Sequence, residues 1–103
     1  MTLLADLLAL DDAGFRTLFA GSPIKRIGRD RMLRNCLIAA GNSGSAKLLP
    51  SVEALLDDPA PVVRGAAAWA LAELDPQQFR AIAPARVAAE ADAAVAAEWR
   101  ACR

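Results

Sequence analysis

The same local pattern occurs twice in this chain, 30 residues apart, and it restricts the fold more than any other feature. Residues 32–34 (Met-Leu-Arg) fall on residues 62–64 (Val-Val-Arg) when the sequence is shifted by that distance. Each copy leads into a stretch of small apolar residues, 36–40 in the first and 66–70 in the second. Helix pairs that repeat every ~30–45 residues are typical of an α-solenoid, in which each unit stacks on the next.

Glycine and proline separate short segments whose apolar residues have helical spacing. Leu33, Leu37 and Ala40 fall on one helical face, and Val63 and Ala67 do so in the second copy. The chain contains 25 alanines, which favour helix and let helices pack closely. No stretch alternates between apolar and polar residues as a strand would. The sequence therefore predicts one all-α superhelical domain over residues 1–103, with six or seven short helices.

The predicted helix boundaries follow from capping residues and breaks. Ser45 is expected to cap one helix, and Pro50 is expected to kink it near its first turn. The first expected helix covers residues 3–10, and the second is capped by Asp11 or Asp12 and ends at Gly21. The next three cover residues 28–40, with a stop at 41–44, residues 46–56 and residues 61–74. A short helix then runs from Asp75-Pro76 through Ile82, and a last helix begins at Pro84, with an apolar line through Val87, Ala91, Val95, Trp99 and Cys102.

Composition excludes several function classes. No apolar run approaches the ~18 residues that a membrane span needs, and the N-terminus lacks the basic region of a signal peptide. Cys36 and Cys102 do not form a disulfide framework, so a cytoplasmic protein without a membrane partner is expected. Without histidine the commonest general base and metal ligand is missing, and the adjacent Asp57 and Asp58 are interpreted as solvated turn residues. No catalytic constellation is present.

The charges are distributed unevenly, although the formal net charge is zero. From Arg16 to Lys47 there are seven cations and one anion, Asp30, which gives a net charge of +6. The remaining residues supply the compensating negative charge. A positive surface of this kind on a small domain favours a polyanionic partner.

Seven residues are candidates for contacting that polyanion. Those before a predicted helix lie near its positive end, and those three and four residues apart within it share a face. The candidates are Lys25, Arg26, Arg29, Arg31, Arg34, Asn35 and Arg64.

Structural roles are the alternative for part of this set. Arg34 and Arg64 occupy matching repeat positions, so each side chain either extends the basic track or bonds to the turn before its helix. Asp30 and Arg34 have the spacing of an ordinary helical ion pair. Trp69 and Trp99 lie on helical stripes and are interpreted as packing residues rather than base-stacking platforms.

Two resemblances to known families add to this interpretation. The turn at 57–59 (Asp-Asp-Pro) followed by residues 62–64 resembles the turn between the helices of a HEAT repeat. Residues 15–26 (Phe-Arg-Thr-Leu-Phe-Ala-Gly-Ser-Pro-Ile-Lys-Arg), with Gly28-Arg29 and residues 39–44 (Ala-Ala-Gly-Asn-Ser-Gly), resemble the C-terminal region of epoxyqueuosine reductase. The resemblance extends in order over residues 11–74 and implies a HEAT-like superhelix.

That resemblance implies a role in tRNA modification. The family reduces the epoxide of epoxyqueuosine in tRNA, and its catalytic domain holds a cobalamin and iron–sulfur clusters. Such clusters need sets of cysteine thiolates, which Cys36 and Cys102 cannot supply, so no cofactor is expected in this chain. The expected partners are tRNA, near its anticodon stem-loop, and the catalytic domain. The alternatives are a free-standing HEAT module that binds proteins and a helical repeat that binds DNA phosphates.

Overall fold

The computed structural model describes residues 3–18 and 28–101, and these residues form seven α-helices. The helices are α1 (Leu3–Leu8), α2 (Asp12–Leu18), α3 (Gly28–Ser43), α4 (Leu49–Ala54), α5 (Pro61–Leu74), α6 (Pro76–Ala89) and α7 (Ala93–Arg100), with a 3₁₀ turn at Ala46–Leu48 before α4. The prediction of an all-α fold with six or seven helices is confirmed. The candidates Lys25 and Arg26, the break at Gly21 and the thiol of Cys102 lie outside the described residues.

The helices form two layers, as expected for stacked helix pairs. α3, α5 and α7 pack side by side in an inner layer. α1 packs on α3 and α4, α4 packs on α5, and α6 packs on both α5 and α7. These three helices form the outer layer. The molecule measures 42 × 29 × 16 Å, the flat shape of a short superhelix.

Small side chains let the inner helices approach closely. Leu33 and Leu37 of α3 meet Val63, Ala67 and Ala70 of α5 in a fully buried core. At one end of the core, Phe79 of α6 stacks on Trp99 of α7 with ring centroids 5.1 Å apart. The prediction that Trp99 is a packing residue is therefore confirmed.

Gly41 of α3 and Trp69 of α5 are in close contact. A Cβ atom placed on Gly41 would lie 2.5 Å from a ring carbon of Trp69 and 3.2 Å from the Cα of Ala70. Real Cβ atoms do not make contacts as short as the first of these. The absence of a side chain at position 41 therefore lets α3 and α5 pack at this distance.

The start of α2 follows the predicted capping chemistry, and α6 also begins with a side-chain cap. An oxygen of Asp11 accepts a hydrogen bond of 2.7 Å from the backbone N–H of Gly14, and Asp75 accepts one of 3.1 Å from Gln78. The helix predicted at 61–74 is found with those bounds. Ser45, by contrast, makes no side-chain capping bond, and a 3₁₀ turn separates it from α4, which begins just before Pro50.

One predicted break is misplaced in α3. The helix runs through residues 41–43, which were predicted to stop it, and ends only before Gly44. Gly44 has φ +69°, a left-handed conformation that glycine adopts without the steric cost of a Cβ. Gly41 is in close contact with α5 and is helical, so packing between these two helices extends α3 past Gly41.

The predicted start of the last helix at Pro84 is wrong. α6 continues through Pro84 to Ala89, and the break lies at residues 90–92. Proline has a helical φ and here sits on an exposed face, where water can satisfy the carbonyl that loses its partner. Asp92 starts α7 instead, because its Oδ1 accepts hydrogen bonds from the N–H groups of Ala94 and Val95 at 2.9 and 3.0 Å.

No helix within residues 3–18 and 28–101 combines the length and the apolar character required to cross a membrane.

Replacing Gly41 by alanine will destabilise the fold. The added methyl group must displace the Trp69 ring, and this overpacking outweighs the gain in helix propensity. We expect the free energy of unfolding, measured by urea denaturation, to fall by about 1–2 kcal/mol. Gly65→Ala is the matched control, because the nearest atom to its new Cβ would be 3.8 Å away, so that variant gains up to about 1 kcal/mol. Equal effects of the two substitutions would contradict the packing argument.

Candidate nucleic-acid interface

Arg29, at the start of α3, is held by a buried carboxylate. Its Nη2 donates a hydrogen bond of 2.7 Å to Oδ1 of Asp58, and its Nε donates one of 2.9 Å to the carbonyl oxygen of Leu10. The other oxygen of Asp58 accepts the backbone N–H of Ala60 at 3.0 Å. Only 7% of Asp58 is exposed, so the interpretation of this residue as a solvated turn acid is wrong.

Arg64, in the first turn of α5, makes a similar set of bonds to the next repeat. Its Nε and Nη2 donate to the two carboxylate oxygens of Glu90 at 3.0 and 2.8 Å. Its Nη1 donates to the backbone oxygens of Asp58 and Pro59 at 2.9 and 3.1 Å. Of the two roles considered for Arg64, the structure shows the bond to the turn before its helix.

The two arrangements are copies of one device, which we call the repeat clamp. In each, an arginine near the start of one inner helix pairs with an acid that lies two residues before the N-cap of the next inner helix. Glu90 also accepts the backbone N–H of Asp92 at 3.0 Å, as Asp58 does that of Ala60. The clamp joins α3 to the start of α5 and α5 to the start of α7.

Each clamp shifts the pKa values of its members. Burial alone would raise the pKa of Asp58, but the hydrogen bonds from Arg29 and Ala60 and the nearby arginine charges lower it below its ordinary value. The hydrogen bond from Arg64 lowers the pKa of Glu90. The same bonds raise the pKa of both arginines, so all four groups are charged at neutral pH.

Three of the seven candidates remain on the surface of α3. Arg31, Arg34 and Asn35 are exposed, with the spacing that places them on one side of the helix. Among the described side chains, no carboxylate forms an ion pair with either arginine. We call these three residues the α3 edge.

The single anion of the basic segment does not neutralise that edge. Asp30 was expected to pair with Arg34, but its Oδ1 accepts a hydrogen bond of 3.1 Å from Nη1 of Arg29 instead. Arg29 already points at Asp58, so it offers Asp30 a nearby guanidinium. The positive charge of Arg31 and Arg34 therefore faces solvent.

A groove runs beside the α3 edge, on the side of the inner layer that the outer helices do not cover. It has a volume of about 640 Å³, and α3, α5 and α7 with the N-cap of α7 supply its walls. Its apolar lining includes Ile38, Val62 and part of Trp69, and 43% of Val62 is exposed. Arg34 stands on its α3 wall.

Sequence reasoning missed the acids of the repeat clamp. The repeat was aligned with a shift of 30 residues, which matches Arg64 to Arg34. In the clamps, Arg64 has the same role as Arg29. The two arginines do not align because α3 begins further before its core residue Leu33 than α5 begins before Val63. A shift of 32 residues would have matched Asp58 to Glu90 and the N-cap Ala60 to the N-cap Asp92, and so revealed both acids.

The described residues do not fit an iron–sulfur cluster, one of the cofactors that the resemblance implies. An iron–sulfur cluster is held by several cysteine thiolates at close spacing, whereas Cys36 has no second cysteine within residues 3–18 and 28–101. Burial raises the pKa of its thiol, which disfavours the thiolate that binds metal. No group of three potential metal-binding side chains occurs in the described ranges. We therefore derive no redox step from these residues.

Comparison with known proteins confirms the resemblance to a HEAT repeat and the similarity to epoxyqueuosine reductases. Residues 48–77, which hold α4 and α5, match the HEAT repeat family. The chain is 41% identical over 71 residues to epoxyqueuosine reductase of Xanthomonas campestris, which covers 68% of this chain and 20% of that protein. It is 41% identical over 78 residues to the enzyme of Alicycliphilus denitrificans, covering 68% and 22% of the two chains. For the enzyme of Bacillus subtilis, identity is 36% over 73 residues, covering 70% and 19%.

The chain therefore spans about a fifth of the length of the curated relatives it matches. No solved structure matches it.

Removing the charge of Asp58 will destabilise the fold through the repeat clamp. Asp58→Asn leaves the Arg29 guanidinium without its anion in a site that is mostly shielded from water, which costs about 2–3 kcal/mol of unfolding free energy. Asp57→Asn is the matched control, because its pair with Arg86 is exposed and such pairs contribute less than about 1 kcal/mol. Urea denaturation of the two variants measures the difference, and similar losses would refute the clamp.

The clamps also predict how stability depends on acid. The pKa values of Asp58 and Glu90 are lower in the folded than in the unfolded chain, so their contribution is present above about pH 4 and is lost as the pH falls through the folded values. We expect the urea midpoint to fall steeply below about pH 4 and less steeply in Asp58→Asn. Parallel pH profiles for the two proteins would show that Asp58 does not carry this effect.

Proposed function

We propose that this chain is the tRNA-binding, HEAT-like C-terminal part of an epoxyqueuosine reductase and acts in the cytoplasm. The similarity to three such enzymes supports the pathway. The arginines of the α3 edge support the ligand, because they form no ion pair with a carboxylate of the described residues and an exposed cluster of arginines attracts a phosphate backbone. This edge is the single observation that carries the proposal.

The contacts that we propose differ among the seven candidates. Arg31 and Arg34 bind phosphates, for which the planar guanidinium offers two parallel donors, and Asn35 adds a neutral donor beside them. Lys25 and Arg26 precede α3, where the helix start favours anions, and we propose that they continue the track. Arg29 and Arg64 hold the repeats in register and so position the α3 edge, while their own guanidinium groups are occupied by carboxylates.

The chemical step belongs to the catalytic part of the enzyme in this proposal. That part reduces the epoxide of epoxyqueuosine to the alkene of queuosine with its cobalamin and iron–sulfur clusters. This chain contributes binding and orientation near the anticodon stem-loop, because electrostatic contacts to phosphates fix the register of an RNA without reading its sequence.

A second candidate function is supported by the groove. An apolar surface between helices is typical of sites that bind a partner protein, and a HEAT module that binds proteins was the alternative from sequence. Competition between tRNA and a candidate protein for the chain would separate the two functions. The DNA-binding alternative is tested in the same way, with duplex DNA as the competitor at one salt concentration.

Reversing one charge of the α3 edge will weaken tRNA binding. For Arg34→Glu we expect a lower affinity and a slope of log affinity against log salt that is reduced by about 1, because one phosphate contact is lost. Arg100→Glu is the control, since it makes the same charge change at an exposed site on α7.

The measurement is a tRNA titration at several ionic strengths, extended to Lys25→Glu with Arg26→Glu. Equal effects at Arg34 and Arg100 would show that tRNA responds only to net charge. Unchanged binding in the double variant would remove positions 25 and 26 from the interface.

A further inference from the structure

We propose that the groove between α3, α5 and α7 holds one unpaired base of the RNA, while the sugar–phosphate backbone follows the α3 edge. The inference rests on the proposed function and specifies how the same surface selects single-stranded over paired RNA.

The groove has the size and lining of a site for a flat, mostly apolar group. Its volume of about 640 Å³ lies within the usual range of ~300–1,000 Å³ for small-molecule sites. Val62 is a large apolar side chain left exposed there, and Ile38 and Ala66 add to the apolar walls. Burying a base would therefore remove apolar surface from water on both partners.

Trp69 supplies an aromatic surface in the groove. One edge of its ring packs against Gly41, and Trp69 also lines the groove. Trp99 is buried and stacked on Phe79, so it takes no part in lining this groove. Stacking of an unstacked base on an aromatic side chain is the usual way in which proteins hold single-stranded RNA. A ring that is already held in place loses little conformational entropy on binding.

The charges on the two walls orient the nucleotide. Arg34 stands on the α3 wall, whereas Asp92 and Glu98 stand on the α7 side. The carboxylates repel phosphate, so the backbone is confined to the α3 edge. An uncharged base meets no such repulsion, and its N–H groups can donate to a carboxylate. This polarity favours a nucleotide whose phosphate contacts Arg34 and whose base points toward α7.

The requirement for an unpaired base also distinguishes single-stranded RNA from a duplex as a ligand of this groove. Bases in a double helix are stacked on each other and cannot enter a groove beside the backbone, whereas those of a loop can be turned outward. Paired RNA would therefore use the α3 edge alone.

The first experiment follows Trp69 directly. In the Trp99→Phe chain Trp69 is the sole tryptophan, and its fluorescence is titrated with an RNA hairpin and with a fully paired RNA duplex that carries the same number of phosphates. We expect the hairpin to quench the fluorescence and to bind about tenfold more tightly, and the duplex to bind without quenching. Equal affinity and absence of quenching by the hairpin would overturn the inference.

A second experiment fills the groove. Ala66→Leu places a larger side chain among the apolar walls, and Ala81→Leu makes the same change at an exposed site on α6. We expect Ala66→Leu to lower hairpin affinity about tenfold while duplex affinity and its salt dependence stay unchanged, and Ala81→Leu to affect neither.

The outcomes separate the inference from the proposed function. If Ala66→Leu still binds RNA and still prefers the hairpin to the same extent, base insertion is refuted. The α3 edge then remains the RNA site, and the groove is available to a protein partner. Failure of both RNAs to bind the unaltered chain would refute the proposed function and the inference together. The fluorescence experiment needs no groove variant, so poor folding of Ala66→Leu would not remove the test.

Discussion

The pairing of an arginine in one inner helix with an acid before the next is the interaction on which the rest of this structure depends. Apolar contacts between small side chains bring α3, α5 and α7 together, but such contacts are weakly directional and tolerate sliding. The Arg29–Asp58 and Arg64–Glu90 pairs are directional, largely shielded from water and tied to the backbone N–H groups of the following turns. They therefore set where each inner helix begins relative to the previous one. Both pairs join an arginine of one inner helix to the turn before the next, so each contact between inner helices has its own directional link.

This arrangement divides the basic residues into two groups with different roles. Arg29 and Arg64, near the start of an inner helix, pair with the acids of the repeat clamp and hold neighbouring repeats together. Arg31 and Arg34, further along α3, form no ion pair within the described part of the chain and keep their charge toward solvent. Asp30 strengthens the division, since it is drawn to Arg29 and leaves Arg34 exposed. The surface available to a polyanion therefore consists of the cations that the fold does not pair with a carboxylate. The number of basic residues in the sequence is larger than the number available for binding.

Much of the architecture could be predicted from the sequence because it depends on local chemistry. Pro61 and the apolar spacing behind it gave the correct bounds of α5, and Asp11, one of two residues expected to cap α2, does so. The errors occur where a distant contact overrides a local preference. α3 continues past Gly41 because that residue packs on Trp69, and α6 continues past Pro84 because the break is made instead where Arg64 holds Glu90. The buried role of Asp58 was invisible for the same reason, since its partner is 29 residues away.

The sequence by itself determined that the chain is helical, that its helices repeat and that cations concentrate before and within α3, since propensity, periodicity and charge are properties of neighbouring residues. Only the tertiary structure decided which of those cations are neutralised, where the groove lies and that Trp69 serves both the core and that groove. Those features arise from residues roughly a repeat apart in sequence. Their distances depend on how the helices stack on one another.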